Sequence, residues 1–316
     1  MKNLSATVDA TTAGRVDAVV RQLSGSSHSQ VKGMFDYDCV SIDGVTCLDA
    51  GTPVTEGNVV SLRYNPDQRY REKKKPRWDD RTFSVIFEDD DLIVVDKAAG
   101  TLTVPTDQGE ETNTLWQRVS VYISHSRRNR EAALVHRLDR SVSGLLVFGK
   151  HDAVGELLIE QFKAKKPRRV YAAIVAGLVE KDEGTFTSHL KTGKNLDRFE
   201  APPSKDTEEA ITHFKVDKRF DDTTLVEAVL ETGKRNQIRV HFASNGHPVL
   251  GDPRYETEKA THPRWVRKRI ALHAKTLGFT HPVTGEDLTF HSPLPAPMQK
   301  FIAGGKPRRP QKNRNA

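Results

Sequence analysis

The chain has 316 residues, room for one large domain and a small one, and its 36% hydrophobic and 29% charged content describes a rather polar globular protein. No apolar run reaches the length of a membrane span and residues 1–6 have no signal-like apolar core, so a cytoplasmic protein away from the membrane is expected. Cys39 and Cys47 offer no metal-ligand spacing, and a reduced pair is expected.

Residues 11–64 are predicted to form a first unit. Val16, Val19, Val20 and Leu23 recur at helical spacing, and Ser27 opens a second short helix. Cys39 to Val45 alternates like a strand running into an Asp43-Gly44 hairpin turn, and 57–63 reads as a last strand. Residues 65–80 have no hydrophobic period and read as a basic linker, with Arg69, Arg71, Lys73, Lys74, Lys75 and Arg77 against four acids.

From 81 to 302 short strands mix with a few helices, which predicts an α+β domain. A helix is expected over 151–165, with Val154, Leu157, Leu158, Gln161 and Phe162 on one stripe. A strand is expected over 224–230 and a helix over 236–245, closed by Gly246. Residues 303–316 carry five basic residues and no acid, account for most of the net charge of +7, and are expected to be a disordered basic tail.

At the centre stands Leu134-Val135-His136-Arg137-Leu138-Asp139-Arg140, followed by Ser143-Gly144 and the apolar run Leu145 to Phe148. One carboxylate lies among cations at the edge of what should be a buried strand. Taken alone, an Asp flanked by Arg is most often a structural ion pair. The word as a whole resembles the catalytic motif of the RluA-type pseudouridine synthases. Three more stretches fall in that family's order: upstream, the strand, acidic turn and strand over 85–97; downstream, the tyrosine strand over 168–177, and Thr232 to His241 with Gly246 to Pro253. The family has Pro where Ala98 stands, Thr at Val142, and Thr-His at Arg235-Asn236.

The resemblance implies a mixed, mainly antiparallel sheet with flanking helices, the pseudouridine synthase fold, over 81–302. It also implies isomerisation of uridine to pseudouridine in ribosomal or transfer RNA without a cofactor or metal, by a monomer. Asp139 would be the acting carboxylate, Arg239 its ion-pair partner, and Tyr171 the ring against the base. Arg137 would fill the helix space left by a flipped nucleotide. Arg140, His136 and Lys97 complete the expected substrate-binding set. Residues 11–64 are similar to the small alpha-L RNA-binding module known from a small-subunit ribosomal protein.

Two other readings stand beside this one. An inactive RNA-binding or ribosome-assembly protein of the same fold would be expected to lose Asp139, Tyr171 or Arg239, and all three are present. A glycoside hydrolase needs a second carboxylate facing the first, for which no motif is evident.

Overall fold

The computed structural model describes residues 1–68, 70, 80–106, 113–124, 131–193, 197–266 and 269–306. Most of the expected linker and residues 307–316 of the basic tail lie outside them. The chain divides into two compact units, Met1–Trp78 and Asp79–Ala316.

The first unit runs β1 (Lys2–Thr7), β2 (Gly14–Arg15), α1 (Val16–Ser24), α2 (His28–Asp36), β3 (Val40–Ile42), β4 (Val45–Thr46), β5 (Pro53–Val54) and β6 (Val59–Tyr64). Helix α1 stops at Gly25, whose φ of 66° is left-handed, and the Ser27 hydroxyl caps α2 by accepting from the Gln30 amide at 3.3 Å. Asp43 and Gly44 take φ of 49° and 82°, the left-handed pair that a two-residue hairpin turn between twisted strands needs. Val16, Val20, Val31, Phe35, Val60 and Leu62 are buried together beneath the sheet β1-β6-β3-β4.

Strand β1 lies before the residue where the sequence reading begins this unit. Its stretch Lys-Asn-Leu-Ser-Ala-Thr has only Leu4 and Ala6 facing inward, too weak an alternation to read, yet all six residues pair with β6.

The second unit runs β7 (Phe83–Glu88), β8 (Leu92–Lys97), α3 (Leu115–Ser124), β9 (Ala133–Leu134), β10 (Ser143–Gly149), α4 (Asp152–Lys163), β11 (Arg168–Ala176) and β12 (Glu183–Thr192). It continues with β13 (Arg198–Ala201), β14 (Glu208–Arg219), β15 (Thr223–Leu230), α5 (Gln237–Ser244), α6 (Thr257–Ala260), β16 (Leu272–Thr280), β17 (Asp287–His291) and α7 (Ala296–Ala303). One sheet holds its strands in the order β13-β12-β14-β15-β11-β16-β10-β8-β7, with β17 beside β16 and β9 beside β10. It is mainly antiparallel. The exception is β10 with β16, parallel over Ser143↔His273 and Gly144↔Ala274.

The central strands read as unbroken apolar runs because helices cover them. Val154 and Leu158 of α4 pack with Leu92, Val94, Leu145, Val147 and Leu277, while Val240 of α5 packs on Leu190 and Ala210. Helix α5 also carries polar groups into the sheet. Gln237 donates to the Ile211 carbonyl and the Thr212 hydroxyl, each at 2.9 Å, and His241 bridges the Ser188 and Thr212 hydroxyls at 2.9 Å. These bonds fix the rotation of α5, and with it the direction in which Arg239 points.

Burial lowers the pKa of His241 from 6.5 to about 4. The unfolded chain therefore takes up this proton first as the pH falls. Stability present above pH 6.5 is expected to be lost toward pH 4, at about 1.4 kcal/mol per pH unit for this group. Denaturant titrations at stepped pH check this, and His241→Asn should flatten that part of the slope.

Candidate active site

Asp139 sits in the loop between β9 and β10, and three attachments hold that loop. The buried Thr103 hydroxyl donates to the Leu138 carbonyl at 2.7 Å and accepts from the Leu138 amide at 3.1 Å. The Val142 amide closes a turn on the Asp139 carbonyl at 3.1 Å, and the Gly100 amide donates to the Arg140 carbonyl at 2.7 Å.

Lys97 is the third attachment. It is expected among the substrate-binding residues, but its side chain is wholly buried beneath the loop and outside the cleft wall. Its ammonium donates to the carbonyls of Thr101 at 2.8 Å, Ala98 at 3.0 Å and Arg140 at 3.3 Å. Burial pushes its pKa down to about 7, with Asp139 and Asp96 opposing and Arg269 adding to the fall. Three carbonyl acceptors call for three protons, so the ammonium is the form that fits. Lys97→Met is expected to leave the Thr101 and Ala98 carbonyls undonated and the Arg140 carbonyl with the Gly100 amide alone, at a cost of about 1–3 kcal/mol, and to slow turnover by loosening the Asp139 turn. Thermal melts and single-turnover rates check both.

Across the loop, Arg239 of α5 points at Asp139, its Nη1 donating to Asp139 Oδ2 at 2.7 Å. The fork formed by Nε and Nη2 is bonded to Asp252, at 2.7 and 2.8 Å, and Nη1 also reaches Asn236 Oδ1 at 3.0 Å. Burial disfavours the guanidinium's charge, but bonding to Asp252 and the charge of Asp139 outweigh it, so the pKa is raised. Asp252 has no exposed side-chain surface, whereas Asp139 keeps 24% of its own. Of the two carboxylates, Asp139 is the one a substrate can reach.

A cleft of about 130 Å³ opens at this point, its wall including Arg137, Asp139, Val142, Tyr171, Lys234, Arg235 and Arg239. Tyr171 of β11 is 8% exposed. Burial pushes its hydroxyl pKa up, with Asp139 adding and Arg169 opposing, so it remains a proton donor at neutral pH. The turn before α5 stands against Arg169, whose Nη1 lies 2.3 Å from where a Cβ on Gly233 would be. A residue with a side chain there would displace that buried guanidinium.

Besides Lys97, the structure places two more expected substrate-binding residues outside the cleft wall. The half-buried ring of His136 stacks on Phe162 of α4 at 4.6 Å and accepts from the Val147 amide at 3.2 Å. Burial and the neighbouring Arg169 lower its pKa to about 3, so it is a neutral packing group outside the cleft wall. Arg140 is exposed but bound through Nε to the Gly100 carbonyl at 3.1 Å.

Asp252, Asn236 and Tyr255 were not singled out from sequence. Asn236 adopts φ of 58°, a left-handed conformation that asparagine tolerates, and donates to the Tyr255 hydroxyl at 2.9 Å. The Tyr255 ring lies 5.1 Å from the Arg239 guanidinium. Among the described residues, Asp89, Asp91 and His281 bring possible metal-ligand atoms within 4.8 Å of one another. His281 Nδ1 accepts from the Val283 and Thr284 amides, so its Nε2 carries the proton and donates to Asp89 at 2.9 Å. That nitrogen has no lone pair for a metal, and the group is a hydrogen-bonded cluster at the β7–β8 turn.

Comparison with known proteins gives the family. The sequence profile of the RNA pseudouridylate synthase family matches residues 91–244, a span that includes Asp139, Tyr171 and Arg239. An uncharacterized RNA pseudouridine synthase of Bacillus subtilis is 39% identical over 221 residues, which cover 69% of this chain and 71% of that protein. The ribosomal large subunit pseudouridine synthase D of Nitrosomonas europaea is 34% identical over 296 residues, covering 91% of this chain and 83% of its own. The chain belongs to the RluA-type RNA pseudouridine synthases. Human RNA pseudouridylate synthase domain containing 4, at 18% identity, shares this synthase's fold with a TM-score of 0.58, covering 70% of this chain and 92% of its own. As a pseudouridine synthase the protein is an isomerase acting on RNA. The profile match ends at residue 244, before the Asp252 that holds Arg239.

Proposed function

We propose that this synthase isomerises uridine in large-subunit ribosomal RNA, with Asp139 as the acting carboxylate and no cofactor. The observation that carries the reading is the charge pattern of the cleft. Asp139 is the one acid in its described wall, amid Arg137, Lys234, Arg235 and Arg239. Cations draw in the phosphate backbone, and the lone carboxylate meets the nucleotide turned into the site. The choice of RNA rests on relatives named for the large ribosomal subunit.

The reaction breaks the bond between C1′ and N1 of uridine, turns the detached base, and joins C1′ to C5. The proton leaving C5 balances the one gained at N1, with no redox change and no net uptake of water. Attack on the nucleoside and removal of a sugar proton both start from an ionised carboxylate, which Arg239 supplies by pairing with Asp139. Tyr171 offers a flat ring for the loose uracil and a protonated hydroxyl beside Asp139. Arg137, exposed at the rim, fills the place of the extruded nucleotide.

The first unit is proposed as the RNA-selecting module on the strength of its helix pair and sheet. Residues 1–68 hold five basic residues against eight acidic ones. Phosphate attraction near that unit therefore belongs to the basic stretch over 69–77.

A pseudouridine map of ribosomal and transfer RNA, by carbodiimide chemistry and sequencing, tests the proposal. Cells with the gene intact, deleted, or carrying Asp139→Asn are compared. A large-subunit uridine should lose its modification in both altered strains. Loss only on deletion would refute the role of Asp139, and loss confined to transfer RNA would refute the choice of RNA. Full modification in both strains would favour an inactive RNA-binding protein.

A further inference from the structure

We propose that Asp252 is a positioning residue that shares the charge of Arg239 with Asp139 and so keeps the Asp139 carboxylate reactive. The inference rests on the reading that Asp139 performs the chemistry.

An arginine facing a single carboxylate prefers to hold it with its fork, two parallel bonds to two oxygens. Here the fork is bonded to Asp252, and Asp139 receives a single N–H from Nη1. The fork cannot turn away. Asp252 Oδ1 also accepts from the Arg254 amide at 2.9 Å and the Tyr255 amide at 3.2 Å, which fixes the carboxylate in its turn. The Tyr255 ring lies against the guanidinium, and its hydroxyl accepts from Asn236 and from the Arg198 amide at 3.1 Å.

One positive charge thus serves two carboxylates, and the group of three carries a net negative charge. A carboxylate owning all of Arg239 would be a weaker base and nucleophile, because its ionised form would be held too well. Asp252 plays the part of a third group that orients the partner of the acting residue. The other charged and titratable groups around Asp139 stay the same whatever occupies 252: Lys97 of β8, Tyr171 of β11, Arg137 of its own loop, and Lys234 and Arg235 of the cleft wall.

The test uses the full chain and large-subunit ribosomal RNA transcribed in vitro with tritium at uridine C5, whose release to water follows the C5–H bond lost in the reaction. Asp252→Asn keeps the shape and removes the charge. Its single-turnover rate at neutral pH should fall by about tenfold or more, as when outer partners of reactive groups are altered, with RNA binding unchanged. The acid limb of its pH–rate profile should move down by about one unit, since Asp139 gains a larger share of Arg239. Asn236→Asp, which adds a carboxylate beside Nη1, should move the same limb up.

A rate loss with both limbs in place would reduce Asp252 to a scaffold and overturn the proposal, as would an unchanged rate in Asp252→Asn. Should Asp252→Asn not fold, the direction of the limb in Asn236→Asp decides alone. Tritium release by Asp139→Asn would sink the underlying reading instead, so the two failures are told apart.

Discussion

Purified Asp139→Asn is expected to fold, to bind RNA as the unaltered protein does, and to form no measurable pseudouridine. Asparagine keeps the shape of the side chain, so the loop held by Thr103, Lys97 and Gly100 has no reason to move. Arg239 loses one of its partners but retains the fork to Asp252 and the bond to Asn236. The stability change should stay within about 1 kcal/mol, because Asp139 is partly open to solvent, where ion pairs contribute little. The chemistry has no such reserve. A neutral amide neither attacks the nucleoside nor takes its proton, and Asp252 is buried behind Arg239 and cannot stand in. A rate loss of at least about three orders of magnitude is expected, in line with removal of a group that acts in the chemical step. Tritium release against filter binding on the same RNA separates the two properties. A variant that bound RNA poorly would show Asp139 to be a binding residue.

Gly144→Ala should be among the most destabilising single methyls in the second unit. Gly144 has φ of 121°, and a Cβ there would lie 2.3 Å from the Ala274 carbonyl oxygen, 2.5 Å from its nitrogen and 2.7 Å from its Cα. All three atoms are backbone of the neighbouring strand, so no side chain can swing aside. Either β10 leaves β16 or the chain accepts an impossible contact. A loss above about 4 kcal/mol is expected, the range of severe overpacking joined to backbone strain. Gly246→Ala is the control: at φ of 81° it is strained too, but nothing lies within 4 Å of its added Cβ, so about 1 kcal/mol is expected. Guanidinium unfolding of the two variants side by side separates strain from collision. Equal losses would show that the contact with Ala274 relaxes.

Patterns of neighbouring residues made much of this legible. The stripe of α4, the Asp-Gly turn after β3 and the buried run of β10 follow from local spacing. Asp139, Tyr171 and Arg239 were named from ordered motifs, and the structure brings them to one cleft although a hundred residues separate the first from the last. What stayed hidden depends on distant partners. Gly251-Asp252-Pro253 reads as a turn, and nothing in those letters says that Asp252 meets an arginine thirteen residues earlier. Lys97 looks like any lysine at a strand end until the carbonyls of two loops close over it. His136 stands in the motif beside Arg137, yet its ring turns to Phe162, because α4 supplies a flat apolar partner there.

Among the described residues, the one parallel pairing, β10 with β16, divides the sheet into two antiparallel halves joined by a seam two residues long. Asp139 belongs to the half with β7, β8 and β10, whereas Tyr171 and Arg239 belong to the other. The bond between Asp139 and Arg239 is therefore also a latch across that seam. Both halves depend on pairings distant in sequence, such as Arg168↔Gly278 in one and Gly144↔Lys97 in the other, and such contacts form late in folding. The reactive pair therefore exists only when both halves are folded and joined. Turnover becomes a gauge of whether the halves have docked, reading zero while most of the secondary structure is still in place.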